Sequence, residues 1–205
     1  FRYLTIGLLT NGSAEITGVR LQFTAAPALS DLRAYRGSFQ SSDALLNRIW
    51  YAGAYTVQMD TIDPTQGGVY PPPYSGWLMN GVIGSGTTIL VDGAKRDRFV
   101  WPGDLGITAL TAYVSTGDTL SAKNDLNTLF AMQNADGGLP YVGPEVNFGV
   151  VSDTYHLWTL DAVVDYYLYS GDQAWLAAHW PEIQRAAQFS LAKIDSQGLM
   201  TGNLN

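Results

Sequence analysis

The chain contains no cysteine and only two histidines, His156 and His179. Disulfide staples and thiolate metal centres are thereby excluded. Two histidines this far apart in pattern do not make a metal site, so no metal ligands are expected. Positive charge is scarce as well: 11 Lys and Arg stand against 18 Asp and Glu, a net charge of −7. Nucleic-acid binding needs a basic surface, so no such partner is expected. No apolar run is long enough to span a bilayer, and no charged start leads into an apolar core, so no membrane partner is expected either. Charge of both signs together amounts to 14% of 205 residues.

Apolar residues make up 46% of the chain and aromatics 12%, enough for a sizeable core in one or two domains. Aromatic richness with few lysines, and the glycosylation sequon Asn11-Gly12-Ser13, point towards an extracellular location. The same Asn-Gly pair is also a common turn between strands.

Residues 1–25 alternate apolar and polar positions around that turn ("RYLTIGLL", "ITGVRLQFTA"), which predicts two strands. A lone hairpin is marginal in water, so these strands are expected to complete a sheet whose other strands lie elsewhere, in a longer protein. Residues 1–38 are read as the end of a β-domain with its linker, and 39–205 as part of a helical domain. After "SFQSSD" the period changes: Ser42 or Asp43 caps a helix with Leu45, Leu46, Ile49, Trp50, Ala54 and Val57 on its apolar face. Residues 60–90 are rich in Gly and Pro and are expected to be irregular or hairpin-like. Helices are predicted over 104–116, 119–133, 154–170 and 173–194 from apolar spacings of three and four.

An internal repeat runs through these helices. "AYVSTGDTLSAKNDLNTL" and "YYLYSGDQAWLAAHWPEI" superpose Gly117-Asp118 on Gly171-Asp172. In each copy a left-handed glycine stops one helix and the aspartate opens the next. Recurring helix pairs imply an array of helical hairpins, an open solenoid or a closed toroid. The long loop "NADGGLPYVGPEVNFGVVSDTYH" between the pairs is expected to be functional.

The thirteen residues Asp92–Asp104, "DGAKRDRFVWPGD", concentrate charge between apolar flanks, "TTILV" before and "FVW" within. Each residue has a plain structural reading: Asp92-Gly93 as a turn, Lys95 to Arg98 as a solvated run, Trp101 as core, Asp104 as a cap. Together they suggest a polar pocket in an apolar wall, where carboxylates do acid–base work and a ring stacks on a sugar.

This signature resembles that of the family 78 glycoside hydrolases, the α-L-rhamnosidases, in their fungal-type form. "GSFQSSDALLNRIW", "TAYVSTGD", "SDTYHLWTLDAVVDYYLYSGD" and "AKIDSQGLMTGNLN" are similar to further parts of the same domain. The resemblance implies a mostly α fold: a partial (α/α)6 toroid, its C-terminal half missing here, preceded by the last strands of a β-sandwich. It implies removal of terminal α-L-rhamnose from glycosides or oligosaccharides by an inverting mechanism, without a cofactor. Asp97, an aspartate where the family has a glutamate one methylene longer, takes the general acid's place. Asp92 and Asp104 would bind rhamnose hydroxyls and Trp101 would form an apolar wall. Arg96 and Arg98 are expected to point away from Asp97 and to orient Asp92 and Asp104.

The family's catalytic base lies later than this sequence reaches. Of the three glutamates, Glu15, Glu145 and Glu182, only Glu145 sits on a plausible rim loop. By position, Tyr155, His156 and Trp158 approach the sugar, although Tyr155 and Trp158 also fit the buried face of a helix. The implied partners are a rhamnose-containing glycoside and the remaining C-terminal half of the domain. A non-catalytic sugar-binding relative and a helical-repeat interaction scaffold are the alternative readings.

Overall fold

The computed structural model describes residues 4–21, 23–71, 78–95, 97–144, 146 and 149–202. Five helices carry the architecture: α1 (Ala44–Asp60), α2 (Pro102–Ser115), α3 (Leu120–Phe130), α4 (Asp153–Ser170) and α5 (Gln173–Leu191). Two short strands, β1 (Thr61–Ile62) and β2 (Ile89–Leu90), pair antiparallel, with Thr61 opposite Leu90 and Ile62 opposite Ile89.

Asp43 starts α1 by accepting the N–H groups of Leu45 (2.7 Å) and Leu46 (3.3 Å), the expected N-cap. Burial along α1 is confined to its second half, at Ala54, Val57, Gln58 and Asp60, whereas Leu45, Leu46 and Ile49 are exposed. From Asp60 the chain leaves through β1, crosses an irregular excursion closed by a Gly67–Gly81 bridge, and returns through β2. This is the hairpin-like segment expected between 60 and 90.

That hairpin is held from below by a polar stripe on α3. Ser121, Asn124, Asp125 and Thr128, at the spacing of one helix face, are all buried. Asn124 Nδ2 donates to Thr88 O (2.8 Å), the Leu90 N–H is directed at both Asp125 oxygens (3.3 Å each), and the Ser85 N–H donates to Thr128 Oγ1 (3.2 Å). Apolar packing from Leu126, Leu129 and Phe130 surrounds this stripe.

Both corners of the repeat form as the sequence implies. Gly117 (φ +72°) and Gly171 (φ +64°) are left-handed, and their N–H groups donate to Ala112 O and Tyr167 O. Asp118 then accepts from Leu120 and Ser121, and Asp172 from Trp175, opening α3 and α5. Asp172 also accepts Lys123 Nζ and the Tyr166 hydroxyl, each at 2.7 Å, which ties the second corner to α3.

Helices α2 and α4 share the largest helix–helix contact and run parallel. Tyr155 packs at Gly103, Trp158 at Gly106, and Tyr169 lies tilted against Tyr113 with centroids 5.0 Å apart. The order of these contacts along both helices fixes the direction. Their N-termini therefore lie side by side, with α3 and α5 as returning helices.

Among the described residues of the segment 1–25, the two expected strands are not seen. Described residues 4–21 contain no ladder, and Leu4, Ile6, Leu8, Leu9, Ile16, Val19 and Leu21 are exposed. The alternation is real in the sequence, but among the described residues no sheet or helix covers one face of it, and a two-stranded ribbon alone is marginal.

Candidate active site

The segment 91–101 is built onto the end of α1. Val91 N–H donates to Asp60 O (2.9 Å), continuing the β1–β2 pairing, and Gly68 N–H donates to Arg98 O (2.9 Å). Gly68 lies so close that an added Cβ would meet Asp97 O at 2.1 Å. Asp92 closes the loop: Oδ2 accepts the Asp97 N–H (2.8 Å) and Oδ1 accepts the Phe99 N–H (2.9 Å). Phe99 and Val100 then anchor in the core, delivering Trp101 to the N-cap of α2 and Asp104 to its first turn.

Asp92 is within electrostatic reach of Asp60, Asp97 and Asp104, and Asp104 is also within reach of Asp60 and Asp97. Burial raises Asp60 to about 6, and the Asp92 charge adds to the shift, whereas the Ala94 N–H and Arg98 oppose it. Burial likewise raises Asp92, against the pull of its two backbone donors. Asp104 is raised by burial and then by the charge of Asp92. The Asp97 side chain is on the exposed side of the group, next to Asp92 and Asp104.

Arg98 departs from its expected role. It has a left-handed backbone (φ +62°), so the alternation assumed for an extended loop breaks at this residue. Its guanidinium donates to Gln66 O (3.0 Å, Nε) and Ala94 O (2.8 Å, Nη1), fastening two loops rather than clamping Asp92 or Asp104. Its charge still acts on Asp60 and Asp92. Arg96 and Glu145 lie outside the described residues.

Trp101, Tyr141 and Tyr155 form an edge-to-face triad with centroids 5.5, 6.0 and 6.3 Å apart. All three rings are partly exposed and stand at the paired N-termini of α2 and α4. Trp158 sits one turn further along, its ring against Gly106, in the seam between the helices. His156 is placed elsewhere, in the core. It is fully buried, Nδ1 accepts the Leu139 N–H (3.0 Å), and Nε2 faces Ala186 O (3.0 Å). The Leu139 donor fixes the tautomer with its proton on Nε2, so both ring nitrogens are committed to backbone. Burial lowers the pKa of His156, in keeping with a neutral ring.

Two site residues escaped the sequence reading. Asp60 reaches the cluster only through the β1–β2 pairing, which local pattern does not reveal. Tyr141 was within the long loop judged functional, but nothing in "LPYVG" singles out its ring. Among the described residues no group of His, Asp or Glu is arranged to hold a metal ion.

Parallel helices from successive hairpins, with carboxylates and edge-to-face rings at one end, define an array of helical hairpins with a polar and aromatic rim. The chain belongs to the family described as bacterial alpha-L-rhamnosidase 6 hairpin glycosidase domain, which matches residues 77–203. Its fold is similar to that of a GH78 rhamnosidase of Bacillus sp. GL1, at 23% identity and a TM-score of 0.59, over 82% of this chain and 15% of that one. It is also similar to a rhamnosidase from Klebsiella oxytoca with rhamnose bound, at 22% identity and a TM-score of 0.58, over 81% of this chain and 28% of that one. The chain thus spans less than a third of either structure. No curated protein matches. The described helices are part of a six-hairpin toroid.

Proposed function

We propose that this chain carries the acid half of an inverting α-L-rhamnosidase site. The observation that carries the reading is that Asp104, within electrostatic reach of Asp60, Asp92 and Asp97, stands in the first turn of α2, whose N-cap Trp101 belongs to the triad with Tyr141 and Tyr155. Burial raises Asp60, Asp92 and Asp104, and rings at such a rim offer a face to the apolar side of a sugar.

In this reading Asp97 gives its proton to the glycosidic oxygen as the C1–O bond breaks, and the electron pair leaves on that oxygen. Water forms the new C1–O bond from the opposite face and loses its proton to a carboxylate base, roughly 6.5–9.5 Å from the acid. That base belongs to a part of the ring beyond this sequence. Asp92 and Asp104 face the sugar hydroxyls, and Trp101 with Tyr155 forms the wall. Trp158 supports that wall through Gly106. The substrate is a glycoside or oligosaccharide ending in α-L-rhamnose, a choice supported by the family match and by the rhamnose bound in the Klebsiella oxytoca structure.

The test is hydrolysis of an alkyl α-L-rhamnoside by the full-length protein, followed by proton NMR. Release of L-rhamnose with the β-anomer appearing first supports the reading. Rhamnose binding without release supports a binding protein instead, and no affinity for rhamnose supports an interaction scaffold.

A further inference from the structure

His156 is fully buried and has no part in the roles assigned above. Its ring nevertheless holds the loop that carries the third ring of the triad. Nδ1 accepts the Leu139 N–H at 3.0 Å, and Nε2 donates to Ala186 O on α5 at 3.0 Å. Leu139 opens the run 139–143, and Gly143 closes it by donating its N–H to Val100 O at 2.9 Å. Tyr141 stands midway between these two tethers, and its own N–H reaches Val150 O only at 3.4 Å. Its neighbours Leu139, Pro140, Val142 and Gly143 are buried, whereas Tyr141 is partly exposed.

Each pair within the triad is thereby tied through the chain beside it. Val100 precedes Trp101 and holds the Tyr141 loop at Gly143. His156 follows Tyr155 and holds the same loop at Leu139. Tyr155 packs at Gly103, two residues beyond Trp101, where an added Cβ would meet its ring at 3.1 Å. Leu139 is itself fully buried, and an N–H that loses its acceptor in such a place is costly. Without the imidazole the loop must shift to find another partner, and Tyr141 shifts with it.

We propose that His156 is the positioning residue of the sugar wall, holding the 139–143 loop so that Tyr141 joins Trp101 and Tyr155 as a third ring against the sugar. The inference rests on Trp101 and Tyr155 forming that wall. His156 does not touch the sugar. It acts through Leu139.

Substitutions at His156 separate this role from core packing, because the two ring nitrogens serve different partners. His156→Gln keeps an amide directed at Ala186 O and withdraws the acceptor from Leu139. His156→Asn places an oxygen close to the position of Nδ1 and gives up Ala186. Both lose the ring that packs against Phe189. The experiment measures L-rhamnose affinity by calorimetry, and kcat and KM on an alkyl α-L-rhamnoside, with the full-length protein. His156→Gln should raise Kd and KM about tenfold and leave kcat within about threefold of wild type, the pattern of lost binding rather than lost chemistry. His156→Asn should stay within about threefold of wild type in all three quantities. Tyr141→Ala should lose affinity as well, and adding His156→Gln to it should cost nothing further, since the ring to be positioned is already gone. His156→Phe fills the space of the imidazole without an acceptor. It shares the expectation for glutamine and carries the test if the glutamine variant does not fold.

Unchanged rhamnose affinity in whichever of these two variants folds would overturn the role of His156. So would an equal loss in His156→Asn, or an additive loss on the Tyr141→Ala background. If Trp101→Ala keeps the affinity of wild type, the assignment of the wall fails, independently of His156. If Trp101→Ala and Tyr141→Ala lose affinity and neither His156→Gln nor His156→Phe does, only the present inference fails.

Discussion

The N–H of Asp97 donates to Oδ2 of Asp92 at 2.8 Å, so the residue assigned as proton donor is held by the carboxylate five positions before it. The other Asp92 oxygen accepts the Phe99 N–H at 2.9 Å. Asparagine at 92 would keep one acceptor and present an NH2 group to the second donor. Asp92→Asn should therefore loosen the loop and lower kcat on an alkyl α-L-rhamnoside by roughly 10- to 100-fold, a loss typical of a displaced reacting group. Far-UV circular dichroism should remain unchanged, because α2 to α5 do not depend on this contact.

Gly68 supports the same loop by close approach. An added Cβ would lie 2.1 Å from Asp97 O and 2.9 Å from the Phe99 ring, and a backbone carbonyl yields less easily than a side-chain tip. Gly68→Ala is expected to cost about 1–3 kcal/mol of stability, read from the urea midpoint, and to displace Asp97. Activity should fall by more than the loss of folded protein explains.

Gly106 plays the corresponding part in the α2–α4 seam, with Trp158 Cε3 2.2 Å from an added Cβ. Gly106→Ala should force the indole from its place and shift the tryptophan emission. The steric cost, about 1–3 kcal/mol, should outweigh the gain of about 1 kcal/mol that alanine brings to a helix interior. Pairing it with Trp158→Ala, which removes the obstacle, should recover much of that loss relative to Trp158→Ala alone.

Two buried groups titrate in opposite senses. His156 is held neutral, below its usual 6.5, so protons bind the unfolded chain first as pH falls through that value. Stability from this group is present above 6.5 and declines below it. Asp60 is raised from 3.8 to about 6, so its protonated form favours the fold. That contribution is present below 3.8 and is lost as pH rises to about 6. Urea midpoints across this window should fall less steeply with acidification in His156→Gln than in wild type, and more steeply in Asp60→Asn.

The repeat was legible because its corners use residues with a local mechanism. A left-handed glycine followed by a capping aspartate fixes its own geometry at Gly117-Asp118 and Gly171-Asp172. The helix positions followed from apolar spacing for the same reason, the signal being local. What was not legible depends on partners distant in the chain. The strands expected over residues 1–25 have no covering layer among the described residues. Asp60 joins the cluster through pairing with residues about thirty positions away, and Arg98 reverses its side chain through one backbone angle. His156 reads as a site residue, with Tyr155 and Trp158, from its position in the family that the sequence resembles. One helical step turns its ring into the core, against Phe189 at 4.9 Å.

The most direct measurement is turnover of an alkyl α-L-rhamnoside by the full-length protein and by its Asp97→Asn variant, with rhamnose binding followed by calorimetry on both. The expected result is hydrolysis by the wild type, a loss of at least about 100-fold in kcat for the variant, and rhamnose affinity retained. Undiminished turnover by Asp97→Asn would contradict the assignment of Asp97 as the acid, and absence of turnover in the intact wild type would contradict the enzymatic reading altogether.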